Sequence, residues 1–167
     1  AEFAQQHAQK QGRQSGYPAI LGWGQRSAPL PLAEKLPSSN DRGLMFPHLQ
    51  RTIADALQRA RLQDAWQLDV IETHDCFTIS EYLALEHFAL APAGKGWQLI
   101  EDGVIEMGGR LPVNPSGGLI GAGHPVGATG VRMLLDAWRQ VEGKADSYQV
   151  AGARRAGCLN IGGSFSA

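Results

Sequence analysis

Two stretches of this chain carry residue types that could do chemistry, and a third could support them. The first is Thr73-His74-Asp75-Cys76-Phe77-Thr78. If a helix opens here, the Cys76 thiol meets the positive end of its dipole and several unpaired N–H groups. Both favour a thiolate. His74, two residues earlier, can donate a hydrogen bond to a substrate oxygen. The second is Asn114 to Gly130, with six glycines between Gly117 and Gly130 and one histidine, His124. So much bare backbone allows a ligand to approach closely. A neutral imidazole at the mouth of a helix can accept a proton from a thiol or donate one hydrogen bond to an oxyanion. The third is Asn160-Ile161-Gly162-Gly163, whose backbone N–H groups suit an oxyanion hole. Plainer roles stay open for each: Cys76 as a small buried hydrophobe, His74 as a satisfied turn residue, His124 as a loop cap, Asn160–Gly163 as a turn. The other histidines (His7, His48 and His87) read as surface or satisfied residues.

The elements that must position these groups follow from periodicity. Residues 2–12 read as a short polar helix. Pro18 to Gln25 reads as a strand with two glycines, and 27–43 as a long loop. Phe46, Leu49, Ile53, Leu57 and Ala60 recur at steps of three and four, which predicts a helix. Leu68 to Thr73 is a short buried strand. Residues 77–90 read as helix with Ile79, Tyr82, Leu83 and Phe88 inward, and 91–118 as mostly loop. Leu119 to Gly123 reads as a short strand. A helix is expected over Pro125 to Val141, with proline at its first position and Val131, Leu134, Leu135 and Trp138 on its inner stripe. A last strand lies within 150–161. Strands alternating with helices predict an α/β layered sheet. The strand ends then become the place to look for a ligand site, and all three stretches fall there.

Composition narrows the function. The chain has 167 residues, enough for one domain with a full core, and a formal net charge of −1. No basic face invites nucleic acid or a membrane surface. No apolar run nears the roughly 20 residues of a membrane span. Neither a dinucleotide nor a P-loop fingerprint is present, and neither Cys-x-x-Cys nor His-x-x-x-His suggests a metal. The two cysteines, Cys76 and Cys158, are expected to be reduced, in a cytoplasmic or organellar-matrix protein.

Three segments together resemble one family. Gly-Ala-Gly-His-Pro-Val-Gly-Ala-Thr-Gly around His124 is similar to the histidine loop of thiolases. His74-Asp75-Cys76-Phe77 resembles the loop of sterol-carrier-protein-2-type thiolases, where most thiolases read Asn-Glu-Ala-Phe. Asn160-Ile161-Gly162-Gly163 is similar to their last active-site loop, and Pro112 to Gly118 fits as well. The resemblance runs from about Pro18 to the end, leaving 1–17 as a polar N-terminal segment. It implies the carboxyl-terminal half of a thiolase: an α/β layered half with a mixed five-stranded sheet covered by helices, here lacking its last edge strand.

The resemblance also implies roles. His124 would activate the nucleophilic cysteine and help hold the first oxyanion. His74 would hold a water in that oxyanion hole, and Cys76 would be the acid/base at the α-carbon. Asn160, Gly162 and Gly123 would line the oxyanion and substrate sites. The substrate would be a coenzyme A thioester, with no covalently bound cofactor. Two departures matter. Asn160 stands where most thiolases carry their acid/base cysteine. The Cys-Ala-Ser-like loop of the nucleophile is absent, so the chain is expected to be inactive alone and to need an amino-terminal half or another thiolase subunit. An OB-fold protein is a further candidate partner. A thiolase-like retro-aldolase half and a non-catalytic partner subunit are the competing readings. Intact His74 and Cys76 favour the thiolase, since such lyases often carry Tyr and Ser there.

Overall fold

The computed structural model describes residues 2–12, 17–35 and 43–163. Its elements run α1 (Glu2–Lys10), α2 (Leu32–Lys35), α3 (Pro47–Arg59), a 3₁₀ turn (Ala65–Gln67), β1 (Val70–Thr73), α4 (Thr78–His87), α5 (Gly96–Glu101), α6 (Gly118–Ala122), α7 (Thr129–Glu142), a second 3₁₀ turn (Asp146–Tyr148) and β2 (Ala156–Leu159).

The β-branched run ending at Thr73 forms β1, buried at every position. It pairs in parallel with β2, in the register Val70↔Ala156, Ile71↔Gly157, Glu72↔Cys158 and Thr73↔Leu159. Val113 makes a parallel bridge to Ile71. Among the described residues the sheet is therefore two parallel strands and a bridge, rather than the five mixed strands expected. Its alternation separates two layers. Ile71 and Leu159 face a core built from Phe46, Leu49, Ile53, Leu85 and Phe88, under α3 and α4. Glu72 and Cys158 face α7, whose Asp136 and Arg132 act electrostatically on both.

Several expected elements are corrected. Pro18 to Gln25 forms no strand. It lies along α3, where a Cβ at Gly22 or Gly24 would collide with the carbonyl oxygens of Ala56 or Thr52. The two glycines serve close approach to a helix, and Arg59 stacks 4.1 Å over Trp23 to hold the segment there. The strand expected over Leu119 to Gly123 is instead helix α6 and its cap Gly123, because Gly117 and Gly118, at φ +94° and +58°, turn the chain into the helix through left-handed conformations. Pro125 precedes α7 by four residues, its carbonyl closing a turn with the Ala128 and Thr129 N–H groups. The loop expected over 91–118 contains α5, and the one over 27–43 contains α2, with 36–42 outside the described residues. On α4 the expected inner face is half right: Phe88 is buried in the core and Leu83 packs against it, but Ile79 does not face inward. Ile79 is exposed, Tyr82 and Leu83 are half-buried, and Ser80, Ala84, Leu85 and His87 lie inside.

The largest correction is on α7. Val131 is 72% exposed, Leu134 50% and Leu135 42%, whereas Thr129, Met133, Asp136, Ala137 and Gln140 are buried. The polar members are satisfied. Asp136 accepts from Arg132 (2.9 Å) and from the Tyr148 hydroxyl (3.0 Å), and Gln140 donates to the Tyr148 carbonyl (2.7 Å). Of the stripe read as the inner face, Val131, Leu134 and Leu135 therefore lie outside and Trp138 is half-buried.

Candidate active site

The strand register builds the site. Thr73 and Leu159 are partners, so the next residues of the two parallel strands, His74 and Asn160, leave the sheet side by side. His74 Nδ1 lies 2.8 Å from Asn160 Oδ1. Its ring is 6% exposed, and burial pushes its pKa below the ordinary imidazole value, helped by the neighbouring His124. The Asn160 bond and the nearby Asp75 act in the opposite direction.

Two carboxylates bracket His74 and grip one loop. Glu72 accepts from the Ser116 hydroxyl (2.7 Å) and backbone N–H (3.3 Å). Asp75 accepts from the Leu119 N–H at 2.6 Å. A Cβ at Gly118 would run into the Asp75 carboxylate, so glycine is required there for space as well as for its positive φ. Arg132 of α7 donates to the Gly118 carbonyl at 3.1 Å. Asn114 joins the neighbouring elements: its Oδ1 takes the Thr73 N–H (2.7 Å) and its amide donates to Glu81 of α4 (3.1 Å). Burial raises the pKa of both Glu72 and Glu81.

The gripped loop delivers His124. Gly123, at φ +99°, ends α6 with its N–H bonded to the Leu119 carbonyl (3.1 Å), and His124 follows, exposed. Its ring stands edge-to-face against His74, with centroids 4.9 Å apart and planes at 88°. His124 Nδ1 is 2.7 Å from Thr129 Oγ1, and that hydroxyl donates to the Pro125 carbonyl at 3.2 Å. The hydroxyl has one proton, so the ring N–H donates to it and Nε2 keeps its lone pair.

Cys76 lies two residues past His74 and one before Phe77, the N-cap of α4. It is half-buried and unoxidised, with Sγ 3.8 Å from Ser80 Oγ. Cys158 differs. Burial, with Glu72 nearby, pushes its thiol up to about 12, which leaves it protonated and inert. Asn160 and Gly162 both lie exposed past the end of β2. Contacts therefore join His74, His124 and Asn160 directly, with Cys76 on the same turn as His74. Sequence reasoning missed Thr129, Glu72, Ser116 and Asn114 as positioning groups. Only Thr129 left a local trace, a hydroxyl five residues past the histidine. The Glu72–Ser116 and Asp75–Leu119 pairs span 44 residues each and leave none.

Two facing imidazoles, an amide and a thiol thus gather at the carboxyl end of a small parallel sheet in an α/β layered fold. Residues 33–167 match the family described as Thiolase C-terminal domain-like, and the chain belongs to it. It is 46% identical to sterol carrier protein 2 of Gallus gallus over 95 residues, 57% of this chain and 17% of that protein. It is 41% identical to an acetyl-CoA acetyltransferase of Methanothermobacter thermautotrophicus over 110 residues, 66% of this chain and 28% of that one. The chain thus spans well under half the length of either relative. A solved structure titled Ltp2-ChsH2(DUF35) aldolase shares the fold at TM-score 0.69 and 24% identity, covering 81% of this chain and 34% of that one. Among the described residues no helix is long and apolar enough to cross a membrane.

Proposed function

We propose that this chain is the carboxyl-terminal half of a thiolase-type acyltransferase that acts on coenzyme A thioesters. The observation that carries the reading is the facing pair His74–His124, held by Asn160 and Thr129 beside Cys76. An amino-terminal half supplies the nucleophilic cysteine. His124 Nε2 takes the proton of that thiol, and the thiolate attacks the 3-keto carbonyl of a 3-ketoacyl-CoA. The imidazolium so formed donates to the oxyanion, together with a water held at His74. As the carbon–carbon bond breaks, the enolate of the departing acyl-CoA takes its proton from the Cys76 thiol. The Gly162 N–H serves the second oxyanion. A pre-aimed donor in such a site is worth about 3–4 kcal/mol of barrier. The Cys76 thiolate then takes the proton of the coenzyme A thiol, whose sulfur attacks the acyl-enzyme. The nucleophilic cysteine leaves as a thiolate and regains its proton from His124; run backward, the same steps make a condensation.

The partner half has a surface to meet. Val131, Leu134 and Leu135 of α7, with Ile120 and Val126 flanking His124, are large apolar side chains facing outward beside the site. Such a patch suits an interface. The neighbour titled as a complex with a DUF35 protein also supports a partnered assembly.

The test is co-expression with a thiolase amino-terminal half, followed by thiolysis of a 3-ketoacyl-CoA. Turnover is expected only from the pair, with loss of the carbon–carbon step in Cys76→Ala. Turnover by the 167-residue chain alone, or a Cys76→Ala pair as active as the parent, would sink the proposal. Cleavage of a β-hydroxyacyl thioester without thiolysis would point instead to a carbon–carbon lyase.

A further inference from the structure

Asn160 occupies a junction. Its Oδ1 is 2.8 Å from His74 Nδ1, and its Nδ2 lies over the start of α7, where a Cβ added to Gly130 would come within 3.1 Å. Two features therefore place the amide. The β1–β2 register brings it alongside His74, and Gly130 leaves it room. An amide oxygen has no proton to give, so the hydrogen in the bond belongs to the imidazole. A neutral His74 then carries hydrogen on Nδ1 and a bare lone pair on Nε2.

This matters for the oxyanion. An imidazole with hydrogen on Nε2 could donate to the developing charge directly. The opposite tautomer cannot. It can only accept, and a water that donates one hydrogen to Nε2 has its second hydrogen free to point elsewhere. We propose that Asn160 is a positioning residue that locks His74 in the Nδ1–H tautomer, so that Nε2 orients a water by accepting its hydrogen and aims the water's other hydrogen at the oxyanion. The identity of that oxyanion rests on the thiolase reading; the tautomer does not.

The surroundings keep the ring neutral. Burial comes first, and the His124 ring packs against it edge-on; Asp75, the adjacent carboxylate, and the Asn160 bond pull the other way. Asn160 thus replaces a reactive thiol of other thiolases with a group that does no proton transfer itself but fixes which nitrogen of its neighbour carries hydrogen.

The experiment is ¹⁵N NMR of the histidine rings in the full chain, at a pH where His74 is neutral. The expected spectrum has a pyrrole-type Nδ1 and a pyridine-type Nε2 at His74. Asn160→Ala should move both nitrogens toward a common averaged shift as the two tautomers mix. Asn160→Asp keeps an acceptor, so it should preserve the parent tautomer while raising the titration midpoint of His74. A pyrrole-type Nε2 in the unsubstituted chain overturns the proposal. So does an Asn160→Ala spectrum identical to the parent's. Should Asn160→Ala fail to fold, the parent spectrum and Asn160→Asp still decide. In the assembled enzyme Asn160→Ala should lower kcat about tenfold or more with KM little changed, as expected for loss of a group that orients a working imidazole. An assembled enzyme without thiolysis but with the stated tautomer would sink the thiolase reading and leave the role of Asn160 standing.

Discussion

Helices α3 and α7 have the same kind of sequence and opposite fates. Both place apolar residues at steps of three and four. On α3, Leu49 and Ile53, with Phe46 just ahead of them, are buried in the core. On α7 the stripe of Val131, Leu134 and Leu135 faces out, and the helix instead buries Asp136 and Gln140. The difference lies in what each helix has to cover. Helix α3 covers the apolar side of the sheet. Beneath α7 lies Glu72, buried and hydrogen-bonded to Ser116, and a polar layer suits a polar helix face. Periodicity therefore marks an apolar stripe without saying which molecule covers it.

The sharpest way to break this comparison is truncation on each stripe. Leu49→Ala, at a fully buried site, should cost about 2–5 kcal/mol by urea denaturation. Leu135→Ala should stay within about 0.5 kcal/mol in the isolated chain. Equal losses at the two positions would show that the Val131–Leu135 stripe is covered in the isolated chain after all.

Acid should separate the same two regions. His87 is buried between α3 and α4; its Nδ1 donates to the Leu83 carbonyl (2.5 Å) and its Nε2 accepts the Phe46 N–H at the head of α3 (3.0 Å). Burial lowers its pKa from the ordinary 6.5, against the pull of the Leu83 carbonyl and Glu86, with His48 adding to the lowering. His74 is lowered as well. The unfolded chain then binds more protons than the folded one just below pH 6.5. Stability present above that value is lost as the pH falls, by at most about 1.4 kcal/mol per pH unit for each ring. Glu72 and Glu81, raised above their ordinary 4.5, oppose this loss in their own, more acidic window. Hydrogen-exchange protection factors near Phe46 should fall between pH 7 and 5.5 before those in α7 do. Loss beginning in α7 would contradict the assignment.

The smallest effect belongs to the outer face of α3. Arg26 and Asp55 pair at 2.5 Å with the arginine side chain 44% exposed. Asp55→Ala should change stability by less than about 1 kcal/mol. A larger loss in thermal denaturation would mean that the 17–29 segment contributes to the core.

These contrasts also mark what was legible beforehand. Strand β1 and helix α3 could be read because their apolar positions are covered by this chain. The outward stripe of α7 could not, since its sequence is the same whichever surface meets it. Helix α6 was hidden because five apolar and small residues fit a strand as well as a helical turn, and the left-handed entry at Gly117–Gly118 decided it. The reactive residues were visible as local motifs. The ends of β1 and β2 do bring His74 and Asn160 together, while His124 reaches them from the loop after α6 rather than from the strand expected there. The groups that aim them were not visible, because Glu72 meets Ser116, and Asp75 meets Leu119, only after folding.

Those two grips share one spacing. Position 72 holds 116, and 75 holds 119, so the two tetrapeptides are tied together at both ends. An insertion or deletion inside either tetrapeptide would release one end of the glycine loop and swing His124 away from His74. Homologous chains should therefore vary in length in the stretch after Phe88 and before Leu111, and keep 72–75 and 116–119 free of gaps.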